Sequence, residues 1–200
     1  MSTTGNDRGA QPTLTGPRVL LRPWRADDVE AVLAACQDPE TQRWTQVPVP
    51  YGRADAEDFV CRAAPSTWAE GGALFAVEAR DGGALIGSIG LFNPRDGFAE
   101  AGYSCAPGHR GRGFTAEALR ILCAWAFDEV GLRRVELHID PDNAGSRRVA
   151  ESAGFHLEGL LRQRFLHRGQ PTDMLLYSLL ATDCADIQRN DPAQPGGGAP

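Results

Sequence analysis

Hydrophobic and polar positions along this 200-residue chain follow two rhythms, and the switches between them mark the elements. Alternation is clearest over residues 133–140 (RRVELHID). Val135, Leu137 and Ile139 fall on one face and Arg134, Glu136, His138 and Asp140 on the other, the period of a strand. Further strands are predicted at residues 18–24, 73–80, 84–92, 98–106, 156–166 and 171–180, with turn residues at Asp81-Gly82-Gly83 and Arg168-Gly169-Gln170. Helical spacing predicts helices at 26–37, at 54–70 up to Gly71-Gly72, at 115–130, and at 143–153 up to Gly154. Residues 39–52 read as a loop. The order is β, two helices, three strands, helix, strand, helix, two strands. It predicts an α/β (α+β) domain around one mixed sheet, not a regular βαβ repeat. The ends are polar and rich in Gly and Pro, so residues 1–13 and 183–200 are expected to be disordered and 14–182 to form one domain.

Hydrophobic residues make up 42% and charged residues 23%, a balance that suits one core at this length. The net charge of -6 argues against a general nucleic-acid binder, which needs a basic surface, and suits a cationic or amine-bearing substrate. No apolar run reaches membrane-spanning length and the first ten residues lack the apolar core of a signal peptide, so a cytoplasmic protein with no membrane partner is expected. The five cysteines are scattered and without metal-ligand spacing, which predicts reduced thiols and no metal site.

The most informative stretch is EAGYSCAPGHRGRGFTAEALRIL, residues 100–122. A strand ends near Ala106, Pro107-Gly108 break it, and a Gly-rich turn enters a helix without internal proline. Helix N-termini present unpaired N–H groups and a positive dipole end, and glycine lets the backbone approach a ligand closely, so the turn is a candidate diphosphate cradle. Arg110 and Arg112 add positive charge. A P-loop would need a lysine that is missing here, and a dinucleotide fingerprint would need a third glycine near Ala116.

Arg110-x-x-Gly113-x-Thr115 resembles the Q/R-x-x-G-x-G/A acyl-CoA signature of the GNAT acetyltransferases, with Thr115 departing from the usual small last residue. The surrounding segment, together with Asn143-x-x-Ser146, Gly154-Phe155, Glu158-Gly159 and the upstream DPETQRWTQVPVPY, resembles the RimJ/RimL-type branch over residues 15–181. The resemblance implies a GNAT fold, a mixed central sheet whose middle strands, 98–106 and 133–140, splay apart to hold the pantetheine arm, with flanking helices. It implies acetyl-CoA as co-substrate, no metal, direct acetyl transfer to an amine, and CoA contacts from Ser104, Cys105, Arg110, Gly111, Arg112, Gly113, Phe114, Thr115, Asn143 and Ser146. A homodimer is compatible with it.

Acetylating an amine requires a base for the amine and a donor for the departing thiolate. Glu100 lies on the strand leading to the glycine turn and matches the acid of the branch's E-x-G-Y segment. It is the expected base, with burial expected to raise its pKa. Ser146 is the expected donor to the sulfur. Many GNAT enzymes use a tyrosine near the position of Ala150, and this chain has none there. Ser146 reads equally as a helix-cap residue, as Asn143 does. Trp44 and Tyr103 are candidates for the acceptor pocket, and residues 42–51 for its wall or for a packed connection. His109 falls within the phosphate loop. His138 reads equally as a cleft residue or as part of a solvated strand face. The favoured acceptor is a protein or peptide N-terminal α-amine. A small-molecule amine, a non-catalytic acyl-CoA-binding module and a nucleotide-phosphate enzyme are the alternatives.

Overall fold

The computed structural model describes residues 9–183. Strands β1 (Leu14–Thr15), β2 (Val19–Arg22), β3 (Ala73–Ala79), β4 (Leu85–Arg95), β5 (Phe98–Cys105), β6 (Arg134–Ile139), β7 (His156–His167) and β8 (Gln170–Leu180) form one sheet. Their order is β1-β2-β3-β4-β5-β6-β8-β7. Every neighbouring pair is antiparallel except β5 and β6, which run parallel. Short hairpins join β1 to β2, β3 to β4, β4 to β5 and β7 to β8; the antiparallel β2–β3 and β6–β8 pairs form across longer connections, and the β5-to-β6 connection carries a helix and crosses over. The mixed α/β architecture is the one the pattern predicts.

Helix α5 (Phe114–Asp128) makes that crossover. It packs against β1, β2, β4 and β5. Its buried residues Ala118, Leu119, Leu122, Cys123 and Ala126 recur at three and four positions, so one stripe faces the sheet. On β6 the alternation holds: Val135, Leu137 and Ile139 are buried in the main core. Helix α6 (Ala144–Ser152) follows, with Asn143 as its N-cap.

The region before β3 departs most from expectation. The helix expected over 26–37 opens with a 3-10 turn, Ala26–Asp28, and becomes α1 at Val29–Cys36. Residues 39–52, read as a loop, contain helix α2 (Pro39–Trp44). Its start signals were present: the Asp38 side chain accepts from the Thr41 N–H at 2.9 Å, and Pro39 sits in the first turn, where its missing N–H costs nothing. The single helix expected over 54–70 is α3 (Arg53–Asp58), a widened π-type turn (Phe59–Ala63) and α4 (Ala64–Ala69). Pro65 accounts for the widening, because its ring cannot donate to, or fit against, the carbonyl one turn back. Val29, Val32, Tyr51, Ala56 and Val60 form a second, smaller core here.

A buried ion cluster ties this region to the sheet. Arg22 donates to both carboxylate oxygens of Asp28, at 2.8 and 2.7 Å, and to Glu78 at 2.5 Å. Part of the expected N-terminal tail is placed on the body: Gln11 donates to the Leu74 carbonyl at 3.1 Å. Residues 1–8 and 184–200 of the expected tails lie outside the described residues.

Candidate active site

Strands β5 and β6 pair only where Phe98, Ala99 and Glu100 meet Arg134, Val135 and Glu136. Past Glu100, β5 continues with β4 as far as Cys105, and β6 with β8 as far as Ile139, but the two no longer pair with each other. The backbone groups of β5 that point away from β4 are left without a strand partner there, as extended-ligand binding needs. The gap opens into a cleft of about 680 Å³, lined by both strands, by α2, by the start of α6, and by Phe165, His167 and Met174.

One end of the cleft is the glycine turn. Gly111 and Gly113 hold φ of 71° and 77°, conformations glycine adopts without strain. Gly113 is the N-cap of α5 and no side chain caps that helix, so its leading N–H groups are left for solvent or an anion. Arg18 braces the turn. It donates to the Arg112 carbonyl at 3.1 Å and to the buried Glu117 carboxylate at 2.7 Å, and its guanidinium lies 4.9 Å from the Phe114 ring. The Arg112 guanidinium lies 5.0 Å from the same ring. Arg110, expected to supply phosphate charge, points its guanidinium elsewhere: to Asp38 at 2.5 Å, Thr41 at 3.0 Å and the Cys105 carbonyl at 3.2 Å. It fastens the turn to the start of α2. Burial pushes the Cys105 thiol up, so it stays protonated and inert, although Thr115 hydrogen-bonds it. The glycine turn therefore suits a diphosphate through backbone groups more than through arginines.

Ser146 lies across the cleft. Its N–H donates to the Asn143 carboxamide at 3.0 Å, so Asn143 is the cap and the Ser146 hydroxyl is not needed for it. That hydroxyl sits 2.8 Å from the Tyr103 hydroxyl. Tyr103, a candidate for the acceptor pocket, is thus joined to Ser146.

Glu100 marks the split. Its Oε1 is 3.2 Å from Nδ1 of His138, whose side chain is 12% exposed against 39% for Glu100. The expected rise in the Glu100 pKa is corrected by this contact. The hydrogen bond from His138 outweighs burial and holds the carboxyl below its usual range. His109 packs edge-on to Phe114 at 6.2 Å and is not among the cleft-lining residues.

The other end is bounded by α2 and the β7–β8 hairpin. Trp44 lines it, its Nε1 donating to Glu40 at 2.9 Å and its ring under the Arg43 guanidinium at 4.4 Å. Gln46 donates to the Leu166 carbonyl at 2.8 Å and Arg168 to the Gln42 carbonyl at 2.9 Å, clamping hairpin to connection. The stretch 42–51 divides: Arg43 to Gln46 line the cleft, while Tyr51 is buried in the second core. Phe165, His167 and Met174 were missed because they are hairpin residues brought over the cleft only by sheet order. Among the described residues no group of three or more His, Cys, Asp or Glu is arranged to hold a metal ion, and no helix is long and apolar enough to cross a membrane.

Comparison with known proteins agrees with this geometry. A family model described as an acetyltransferase (GNAT) domain matches residues 18–156. The uncharacterized N-acetyltransferase YoaA of Bacillus subtilis (strain 168) is 30% identical over 84% of this chain and 97% of its own. The uncharacterized N-acetyltransferase p20 of Bacillus licheniformis is 27% identical over 86% of this chain and 98% of its own. Among solved structures, Mycobacterium smegmatis RimJ, in complex with CoA-disulfide, superposes with a TM-score of 0.76 at 26% identity, covering 86% of this chain and 88% of its own. A Vibrio cholerae structure provisionally described as a ribosomal-protein-serine acetyltransferase gives 0.75 at 27%, covering 84% and 97%.

Proposed function

The chain belongs to the GNAT acetyltransferase family and is an acetyl-CoA-dependent N-acetyltransferase, and we propose that its acceptor is the α-amine at the N-terminus of a protein or short peptide. The observation that carries the reading is the split of β5 from β6 at Glu100, which sets a carboxylate, a hydroxyl pair and a glycine turn around one cleft. Acetyl-CoA supplies an activated thioester. Gly111 to Thr115 would hold its diphosphate, and the free backbone edge of β5 its pantetheine arm.

In this reading Glu100 takes the proton from the amine, and Ser146 donates a hydrogen bond to the departing sulfur. A thiolate is already a good leaving group, so a hydroxyl suffices. Glu100 is a carboxylate at neutral pH and thus a modest base. An α-amine, with an ordinary pKa of about 7.7–8.0, matches it better than a lysine side chain at about 10.4. The cleft lining carries Glu40, Glu100, Asp140 and Asp142 against Arg43, Arg110 and Arg148, and Arg110 is already paired with Asp38, a balance that favours a cationic acceptor. The described activity of the Vibrio cholerae relative supports a protein acceptor.

The test offers acetyl-CoA with short peptides bearing free N-termini, the same peptides N-blocked but carrying lysine, and small polyamines or aminoglycosides. Mass spectrometry locates the acetyl group. Acetylation at free N-termini is expected. Modification of a small amine with none on any peptide N-terminus would overturn the choice.

A further inference from the structure

We propose that the proton taken from the acceptor amine is handed on from Glu100 to His138, so that His138 is a second proton carrier beside the carboxylate. This inference rests on the acetyl-transfer reading above.

His138 lies two residues past Glu136, the last β6 residue paired with β5, and therefore at the mouth of the split. Its Nδ1 is 3.2 Å from Glu100 Oε1, and its Nε2 is 4.0 Å from Glu136 Oε2. Both side chains line the cleft, and Glu100 is the more exposed of the pair. Glu136 is held in turn: Arg134 Nε binds its Oε1 at 2.6 Å, leaving Oε2 toward His138. The two remaining Arg134 nitrogens grip Glu158 at 2.7 Å each. An imidazolium at His138 would thus lie between two carboxylates. Leu176 of β8 stands opposite His138 and brings no charge. Arg164 of β7 and Arg95 of β4 act on Glu100 and, with His138, hold its carboxyl below the usual range. A carboxylate so held keeps a proton poorly and needs somewhere to pass it.

The proton balance requires such an exit. An ammonium acceptor loses two protons in becoming an amide N–H. As the C–N bond forms and the thioester C–S bond breaks, one ends on the sulfur. The other goes to Glu100 and, with His138 entering the turnover as the tautomer that carries its own proton on Nε2, across the Oε1 to Nδ1 contact to His138. The imidazolium then releases its Nε2 proton to solvent, which leaves Nδ1–H donating to Glu100, and proton exchange with solvent returns the ring to the Nε2–H tautomer before the next turnover.

The experiment uses the full chain with a peptide acceptor and compares wild type with His138→Asn, His138→Gln, Glu100→Gln and the double variant Glu100→Gln/His138→Asn. Asparagine keeps a donor near the Nδ1 position but cannot carry the proton. Both His138 variants should lose kcat on the order of tenfold to a hundredfold, with the acetyl-CoA KM retained. The double variant should be no slower than Glu100→Gln alone, because one unit is being removed twice. Carbon NMR should show the Glu100 carboxyl titrating at higher pH in folded His138→Gln than in wild type. Wild-type kcat in His138→Asn, losses that multiply in the double variant, or an unmoved Glu100 titration would each overturn the proposal. If wild type acetylates no amine at all, the acetyl-transfer reading fails, and the Glu100 titration alone then decides whether the two residues are coupled.

Discussion

The hydroxyl of Tyr103 lies 2.8 Å from the Ser146 hydroxyl and 3.1 Å from the Ser146 carbonyl, joining β5 to the first turn of α6. A phenol has one proton. Donated to the carbonyl, it leaves the phenol oxygen free to accept from Ser146; under the proposed mechanism, Ser146 would turn its proton to the sulfur and the phenol proton would follow to the serine oxygen. Burial pushes the phenol up to about 12, so it remains a donor across the working range. Ser146→Ala should lower kcat by about tenfold or more with the acetyl-CoA KM kept. Tyr103→Phe should lower kcat by less. The melting temperature of Ser146→Ala should hardly move, because Asn143 caps α6. Steady-state rates alongside thermal melts check this; a stability loss with normal kcat would restore the capping role.

Gly113 fixes the entry to α5 at φ 77°. Valine there meets a backbone penalty of about 1–2 kcal/mol or more and places a branched side chain at the cradle. The acetyl-CoA KM of Gly113→Val should rise at least about tenfold, the equivalent of 1.4 kcal/mol, with the far-ultraviolet circular dichroism of a folded chain. Unchanged affinity in a folded variant would remove the turn from the CoA site.

The Arg22–Asp28–Glu78 cluster is structural and lies away from the cleft-lining residues. Arg22 and Asp28 are 4% and 6% exposed. Asp28→Asn leaves the guanidinium short of a buried counter-charge and should cost about 3–5 kcal/mol in urea unfolding, with near-normal kcat for the folded protein. A loss under about 1 kcal/mol would show the cluster to be wetter than its packing implies.

Acid should unfold the protein partly through Glu158. Two bonds from Arg134 and one from Ser178 lower its pKa from 4.5 to about 2. The folded state therefore binds this proton less tightly than the unfolded chain. The stabilisation is complete above the unfolded value and is lost as pH falls from 4.5 toward about 2. Because the carboxylate is 40% exposed, its share at neutral pH is about 1 kcal/mol or less. In Glu158→Gln the decline in melting temperature across that window should be shallower. An identical slope in the two proteins would count against the pairing.

Local chemistry made much of this protein legible from its sequence. The alternation at Val135, Leu137 and Ile139, the long helix expected over 115–130, the glycines at 111 and 113 and the capping Asn143 all depend on neighbours within a turn or two, and all appear where the pattern puts them. Helix α2 was legible in principle from Asp38 and Pro39, but a six-residue helix is too short for hydrophobic spacing to reveal. The rest needed the tertiary structure, because its partners are distant in sequence and meet only through strand register. Glu100 and His138 face each other because β5 and β6 start in parallel register and then separate. Tyr103 reaches Ser146, and the Arg110 guanidinium reaches Asp38, for the same kind of reason. The direction of the Glu100 pKa followed from that geometry: burial alone would have raised it, and a histidine 38 positions away lowers it.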